Sequence, residues 1–315
     1  MSLNTVLVTG AGGFIGSALA RRLAEAAVGQ LILCDRSLPN PPTGAEAIEG
    51  DLGDPAVRDR VLAVQADVVF HLASVPSALS EAEPAISHAI NLDASLALLE
   101  RLAAHARPAR VVYASTIATL GASFHGPVDD SLLPRPALTY GTHKLMVETA
   151  LADWTRRGRI HGIALRLPGI VARPPSAAGF GSAFWSEVIH AVGRGQGYDC
   201  PAGPDAVGWL MSLGRCVDNF IHAAALDESH LQGAVTLPAL CVRLGDLVQA
   251  IARETGGAAS AVRYAPDPQI MLNFGSYPPL STPAADALGL RHDGDLGALV
   301  ARALADLDVP QGAPA

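Results

Sequence analysis

The chain has 315 residues, of which 50% are hydrophobic and 17% charged, so it can bury a large core and is excluded from the disordered class. Its 22 basic and 30 acidic side chains, with no Lys/Arg run and few aromatics, leave no electrostatic footprint for nucleic acid or an anionic membrane, and a small diffusible molecule is the expected partner. No apolar stretch approaches the roughly 20 residues that span a bilayer, and no secretory signal pattern precedes the first strand.

The first expected strand, Val6 to Val8, breaks into Thr9, Gly10, Ala11, Gly12, Gly13, Phe14, Ile15 and Gly16. A strand that runs into glycines and then opens a helix leaves backbone N–H groups aimed at one spot, with no Cβ to keep a pyrophosphate away. Ile15, Leu19 and Leu23 continue at helical spacing, and Leu31 to Cys34 form a second strand ending in Asp35. An acid at that tip is placed to accept hydrogen bonds from an adenosine ribose and to repel a 2′-phosphate, which favours NAD over NADP. Arg36 works against that preference, because a guanidinium can hold such a phosphate; a plain turn role for Asp35 is the competing reading.

Pro39 to Gly44 is a proline-rich loop, after which short apolar runs alternate with helical patterns: Ala47 and Ile48, Val68 to Phe70, Val111 to Ala114, and Ile163 to Leu165. Alternation of this kind implies parallel pairing and right-handed crossovers, hence an α/β doubly wound sheet whose ligand sits at the carboxyl ends of the strands. Asp51 and Leu52 follow the third strand, and His71, Leu72, Ala73 and Ser74 the fourth. Asp51 reads either as an adenine neighbour or as a turn acid in Gly50 to Pro55, and His71 as a core histidine. From Arg166 onward prolines and glycines interrupt the pattern and mark a second lobe. The expected division is a nucleotide domain over 1–166, with 206–238 returning to it, and a substrate lobe over 167–205 and 239–315. Leu244, Leu247, Val248 and Ile251, and later Leu296, Leu299, Val300, Leu304 and Leu307, have the spacing of packing helices.

Tyr140, Gly141, Thr142, His143 and Lys144 lead a helical face continued by Val147, Leu151 and Trp154, so Tyr140 and Lys144 lie one turn apart on one side. A phenol with a pKa of about 10 is a poor base at neutral pH, and an ammonium one turn away is expected to favour the phenolate. Tyr140 is thus a candidate proton acceptor for an alcohol being oxidised, with Ser115 and Thr116, just past the fifth strand, as candidate hydroxyl donors. The four cysteines (Cys34, Cys200, Cys216 and Cys241) and ten histidines are scattered without metal-ligand spacing. That pattern implies no metal and a reducing, cytoplasmic location.

These motifs together resemble the extended short-chain dehydrogenase/reductase family, in the NAD-dependent epimerase/dehydratase group, over essentially the whole chain. The match runs through Thr9 to Gly16, the adenine-site acid at Asp51, the segment His71 to Ser74, the helix asparagine at Asn91 and the pair Tyr140 and Lys144. The resemblance implies a Rossmann sheet and a catalytic set of Thr116, Tyr140 and Lys144, with Thr116 chosen over Ser115 by its spacing from Gly121. It also implies NAD contacts at Gly10, Gly13, Phe14, Ile15, Gly16, Asp35, Arg36, Asp51, Leu52, Leu72, Ala73, Ser74, Asn91, Leu167, Pro168 and Gly169, with Lys144 on the nicotinamide ribose.

Where sugar-nucleotide enzymes of this group carry a diphosphate grip, the chain has Val171 to Pro174 and Gly208 to Ser212. Its segments Tyr140 to Glu148, Arg166 to Pro174 and Trp209 to Ser212 are more similar to the D-erythronate dehydrogenase branch. The resemblance therefore implies oxidation of a small sugar acid. Arg173 is the candidate for its carboxylate, with a loop-anchoring role as the competing reading, and Ser115 and Trp209 are further candidate substrate residues. A sugar-nucleotide 4-epimerase with tightly held NAD and a non-catalytic dinucleotide sensor are the alternatives. Helices near Ala85 to Ala104 and Tyr140 to Arg156 resemble those of a family homodimer contact, with Ile90, Leu92, Leu96, Leu98 and Leu99 as apolar residues that allow it.

Overall fold

The computed structural model describes residues 4–122, 124–174, 181–231 and 233–308. Its first half alternates strand and helix: β1 (Thr5–Thr9), α1 (Phe14–Glu25), β2 (Gln30–Asp35), β3 (Glu46–Glu49), α2 (Pro55–Val61) and β4 (Val68–His71). The short helices α3 (Ser77–Ala82) and α4 (Pro84–Ser87) then lead through a π-helical stretch, His88–Ala94, into α5 (Ser95–Ala103). β5 (Arg110–Thr116), a 3₁₀ turn (Ile117–Leu120), the long α6 (Thr139–Arg156) and β6 (His161–Leu167) complete this half. The second half contains β7 (Gly169–Val171), α7 (Phe184–Gly193), β8 (Tyr198–Cys200), β9 (Val207–Ser212), α8 (Leu213–Ala224), β10 (Ala234–Thr236), β11 (Leu240–Arg243), α9 (Leu244–Thr255), β12 (Val262–Tyr264), α10 (Pro268–Phe274), α11 (Pro283–Ala287) and α12 (Leu296–Ala305).

Seven strands form one sheet in the order β10-β6-β5-β4-β1-β2-β3, every pair parallel. Such a sheet must be covered on both faces, and the strand sequences comply. Val6 and Val8 pack with Leu19 and Leu23 of α1 and Phe220 of α8 on one face. Leu7 points the other way, into a layer with Leu98 and Leu102 of α5 and Val147 and Leu151 of α6. Strand order reverses between β1 and β4, which opens a crevice at their carboxyl ends.

The second lobe holds a three-stranded sheet, β11-β9-β7, and a two-stranded one, β12-β8. Its core joins Trp185 and Val188 of α7 to Leu247 and Ile251 of α9 and Leu299 of α12, so the two late periodic segments are indeed packing helices. Within residues 206–238 the chain divides its loyalty: β9 lies in the small sheet, whereas α8 packs on α1 and β10 edges the large sheet. Strand β5 runs through Thr116, so Ser115 and Thr116 are its last residues instead of lying just beyond it. No helix among the described residues is long and apolar enough to cross a membrane.

Candidate active site

A cleft of about 300 Å³ opens where the carboxyl ends of β1, β4, β5 and β6 meet β7 and β9 of the second lobe. It is lined by Gly10, Gly13, Phe14, Ile15 and Gly16 on one side, and by Ser115, Thr116, Tyr140, Lys144, Leu167, Pro168, Gly169, Arg173 and Trp209 on the others, with Leu72 and Ser74 between. A smaller recess of about 90 Å³ continues past Gly10 and Gly13 and is lined by Asp35, Arg36, Asp51, Leu52, Ala73 and Ser74. Residues from eight separate stretches of sequence thus converge on one continuous slot.

The glycines do different work. Gly10 has a φ of +73°, and a Cβ there would meet Ala73 N at 2.5 Å and Leu72 C at 2.6 Å, so the turn presses directly on the loop after β4. A Cβ on Gly16 would lie 2.0 Å from Gly10 O, which is how α1 packs against the turn. A Cβ on Gly13 would meet only Gly10 O at 3.4 Å. That position faces the cleft. Gly13 is also the N-cap of α1, with no side-chain cap and no acid in the first turn, so the amides there are left for an anion. At the recess the Asp35 carboxylate accepts Gly12 N–H at 2.9 Å and Arg36 N–H at 2.7 Å, which fixes it at the tip of β2. Asp51 takes the turn role: it accepts Gly53 N–H at 2.7 Å while still lining the recess. A glycine cradle, uncapped helix amides and a fixed acid lining the adjoining recess fit a dinucleotide.

Thr116 and Tyr140 line the same cleft, and α6, which carries Tyr140, sits tightly on the turn after β5: a Cβ on Gly141 would lie 2.4 Å from Ala118 O. Thr116 Oγ1 accepts Ala118 N–H at 3.1 Å, capping the 3₁₀ turn and keeping its own hydrogen for another acceptor. Lys144 is buried. Its Nζ donates to Ala114 O at 2.9 Å and lies 4.8 Å from the Tyr113 ring centre and 5.6 Å from that of Tyr140. Desolvation pulls its pKa down to about 7, against the pull of Glu148. The expected tuning of Tyr140 by Lys144 needs correction. Burial pushes the Tyr140 phenol above its usual value, and the groups that oppose this are the Ser74 hydroxyl and the Arg173 guanidinium.

Several other sequence expectations change in detail. Ser115 lines the cleft, but its hydroxyl donates to Glu148, a buried carboxylate held by Arg166 at 2.8 Å, so its hydrogen is committed to that network and not to a substrate. Asn91 is wholly buried and does not border the cleft or the recess; it holds the loop after β4, accepting Val75 N–H at 2.8 Å and donating to Val75 O at 3.0 Å. His71 is a core residue, bonded to Thr9 and Ser95 at 2.6 and 2.9 Å and kept neutral by a pKa near 3. Arg173 lines the cleft with its main chain anchored to Ser186 Oγ at 3.0 Å and His190 Nε2 at 2.8 Å. Trp209 is a buried wall residue, its indole N–H donated to Pro278 O at 2.7 Å.

Sequence reasoning missed the far wall of the cleft, which Trp185, Leu210, Phe274 and Tyr277 supply. Phe274 and Tyr277 come from the end of α10 and the loop beyond, where no periodicity announces them. Glu148 was open to detection, since it continues the Tyr140 and Lys144 face by one more turn.

Comparison with known proteins agrees with this geometry. Residues 6–244 match the NAD dependent epimerase/dehydratase family. The chain is 33% identical to a D-erythronate dehydrogenase of Cupriavidus necator, covering 91% of this chain and 94% of that protein. A second D-erythronate dehydrogenase, from Haemophilus influenzae, is 29% identical over 91% of this chain and 95% of its own length. Among solved structures, a nucleoside-diphosphate-sugar epimerase from Agrobacterium tumefaciens superposes with a TM-score of 0.87 at 28% identity, covering 94% of this chain and 92% of that one. The protein is an enzyme with NAD as its cofactor, and its chain belongs to the NAD dependent epimerase/dehydratase family.

Proposed function

We propose that the cleft oxidises a hydroxyl of a small sugar acid of the D-erythronate type. The observation that carries this reading is the placement of Arg173 and Tyr140 in one cleft, each within the other's electrostatic field. A carboxylate taken bidentately by the guanidinium sets the hydroxyl of the adjoining carbon beside the phenol. Thr116 then donates its hydrogen to that substrate oxygen, and Tyr140 Oη accepts the hydroxyl proton as the C–O bond gains double-bond character. Bound NAD supplies the acceptor for the hydride that leaves the same carbon.

The glycine turn with Phe14 and Ile15, the recess residues Asp35, Arg36, Asp51, Leu52, Ala73 and Ser74, and Leu72, Leu167, Pro168 and Gly169 hold the cofactor in this reading. Lys144 serves its ribose. Asn91 contributes by shaping the loop that carries Ser74. Trp185, Trp209 and Phe274 form an apolar wall that excludes water from the reacting carbon. Residues 1–166 with the returning α8 and β10 are assigned to the nucleotide half, and the remainder to the substrate lobe.

Likeness to a nucleoside-diphosphate-sugar epimerase favours a second reading, epimerisation with NAD retained. The charge count speaks against it. Among the described residues that line the cleft, the basic side chains are Lys144 and Arg173, which match one carboxylate better than a diphosphate. We also infer a cytoplasmic homodimer that pairs α5 and α6. Leu92, Leu98 and Leu99 are consumed by the protomer's own core, but Ile86 and Met146 stay 42% and 47% exposed on this layer.

Incubation with NAD and aldonates from tetronate to hexonate, followed by NADH absorbance, tests the assignment. Reduction of NAD with a tetronate supports it. Turnover of a UDP-sugar without net reduction, by enzyme that keeps NAD through gel filtration, overturns it in favour of the epimerase.

A further inference from the structure

Tyr277 enters the cleft from the loop beyond α10, and that loop is tied down on both sides of it. The Tyr277 N–H donates to Val207 O at 3.2 Å, next to a bridge between Ser276 and Val207 that joins the loop to the start of β9. The following carbonyl, Pro278 O, accepts the Trp209 indole N–H at 2.7 Å. The Tyr277 ring lies 4.8 Å from that of Trp209 and 5.8 Å from that of Phe124, centre to centre. What is left over is the phenol hydroxyl, which has no hydrogen-bond partner among the described residues. Tyr113 Oη lacks one too but is sealed in the core, whereas Tyr277 Oη is not sealed.

The wall on which Tyr277 stands has spent its other polar groups. The indole N–H of Trp185 goes to Phe274 O at 3.1 Å, as that of Trp209 goes to Pro278 O. An unpaired hydroxyl in such a wall loses its water when a ligand fills the cleft, and that costs free energy unless the ligand replaces the bond. Burial pushes the Tyr277 phenol up to about 12, so at neutral pH it keeps its proton and can both donate and accept. The same packing locates it: Tyr277 rests on a cluster that joins Trp209 to Ile117, the residue after Thr116. It lines the main cleft and not the recess beside Asp35, and so belongs to the reacting end of the slot.

In the proposed reaction Arg173 takes the carboxylate, and Thr116 and Tyr140 take the hydroxyl that is oxidised. The hydroxyls farther along a sugar acid are then unassigned. We propose that Tyr277 is the specificity residue for this tail: its hydroxyl bonds the substrate's C3 or C4 hydroxyl, so that the cleft selects polyhydroxy acids over 2-hydroxy acids that lack one. Trp209 and Phe124 hold the ring in place beforehand, which lowers the entropic cost of that bond. The inference rests on the sugar-acid reading of the site and deepens it, by naming what the cleft measures beyond the reacting carbon.

Its test is a double-mutant cycle in which the substrate carries the second change. Wild type and Tyr277→Phe are each assayed by NADH absorbance on D-erythronate and on its 3-deoxy and 4-deoxy analogues of the same configuration at C2. Wild type should lose about tenfold in kcat/KM on one of the two analogues. Tyr277→Phe should lose about tenfold on erythronate and nothing further on that same analogue. Equal losses by the variant on all three acids would make Tyr277 a plain wall residue and overturn the proposal, as would an unimpaired variant on erythronate. Wild type that oxidises both deoxy acids as well as erythronate overturns it without recourse to any variant. Wild type that reduces no NAD with any of the three marks a different failure, that of the sugar-acid reading, and takes this inference with it.

Discussion

Alanine at Gly13 should abolish tight NAD binding without harming the fold, whereas alanine at Gly10 or Gly16 should damage the fold itself. Gly13 has φ −75° and ψ 175°, a backbone that any L residue adopts, and its new methyl would touch only Gly10 O at 3.4 Å. Folding stability is then expected to stay within about 1 kcal/mol of wild type. The methyl instead occupies the mouth of the helix N-terminus, where close approach of a pyrophosphate is needed. Each charge-assisted backbone bond lost there costs about 1.5–3 kcal/mol, or roughly ten- to a hundredfold in Kd. Gly10→Ala meets three backbone atoms closer than 3.0 Å at a φ of +73°. Left-handed strain of about 1–2 kcal/mol adds to overpacking of about 1–3 kcal/mol. Gly16→Ala drives its Cβ to 2.0 Å from Gly10 O and should destabilise comparably. Thermal melts without cofactor, paired with calorimetric NAD titration, separate the two classes. Wild-type NAD affinity in Gly13→Ala, or a melting point as depressed as that of Gly16→Ala, would refute the reasoning.

Tyr140→Phe should lower kcat by about 10²–10⁴-fold, the usual worth of a general base, while NAD affinity by calorimetry stays near wild type; a sensor without turnover would show no rate to lose. Arg173→Gln should raise KM for the sugar acid by roughly ten- to a hundredfold and leave the Kd for NAD alone, a split that steady-state kinetics reads directly. Glu148→Ala strands Arg166 in a site where the two side chains are 4% and 14% exposed, and should cost about 3–5 kcal/mol in urea unfolding. Lys144 carries a pH signature. Its folded pKa of about 7 lies below the model-compound value of 10.5, so between these limits the unfolded chain binds the extra proton and stability rises with pH. The contribution is lost as pH falls through 7, and the stability difference between wild type and Lys144→Met should therefore move in favour of wild type between pH 7 and 9. A difference that stays flat over this window would contradict the buried, easily deprotonated lysine.

The large sheet was legible because its signals are local. Unbroken runs such as Val6 to Val8 can be buried on both faces only in a covered parallel sheet, and the glycines that follow announce the turn that their close contacts then require. The shared face of Tyr140 and Lys144 was readable from helical spacing, whereas the choice of Thr116 over Ser115 was implied by the family resemblance, through its distance from Gly121. What spacing cannot show is where a polar group finds its partner across the fold. Ser115 looks like a substrate donor until Glu148, brought by α6, takes its hydrogen, and Glu148 in turn needs Arg166 from β6. The ammonium of Lys144 looks like the tuning charge for Tyr140 until burial reverses the sign and Ser74 and Arg173 emerge as the opposing groups. The aromatic far wall was hidden for a related reason: Trp185, Phe274 and Tyr277 are distant in sequence and meet through lobe packing alone.

The most direct test of the central claim follows a labelled hydrogen. With erythronate deuterated at the carbon next to the carboxylate, Arg173 and Tyr140 predict that one turnover moves the deuterium, as deuteride, to the nicotinamide ring and leaves a 2-keto acid, seen by mass spectrometry of both products. Reduced cofactor without deuterium, or a released acid that keeps its label, would contradict the account.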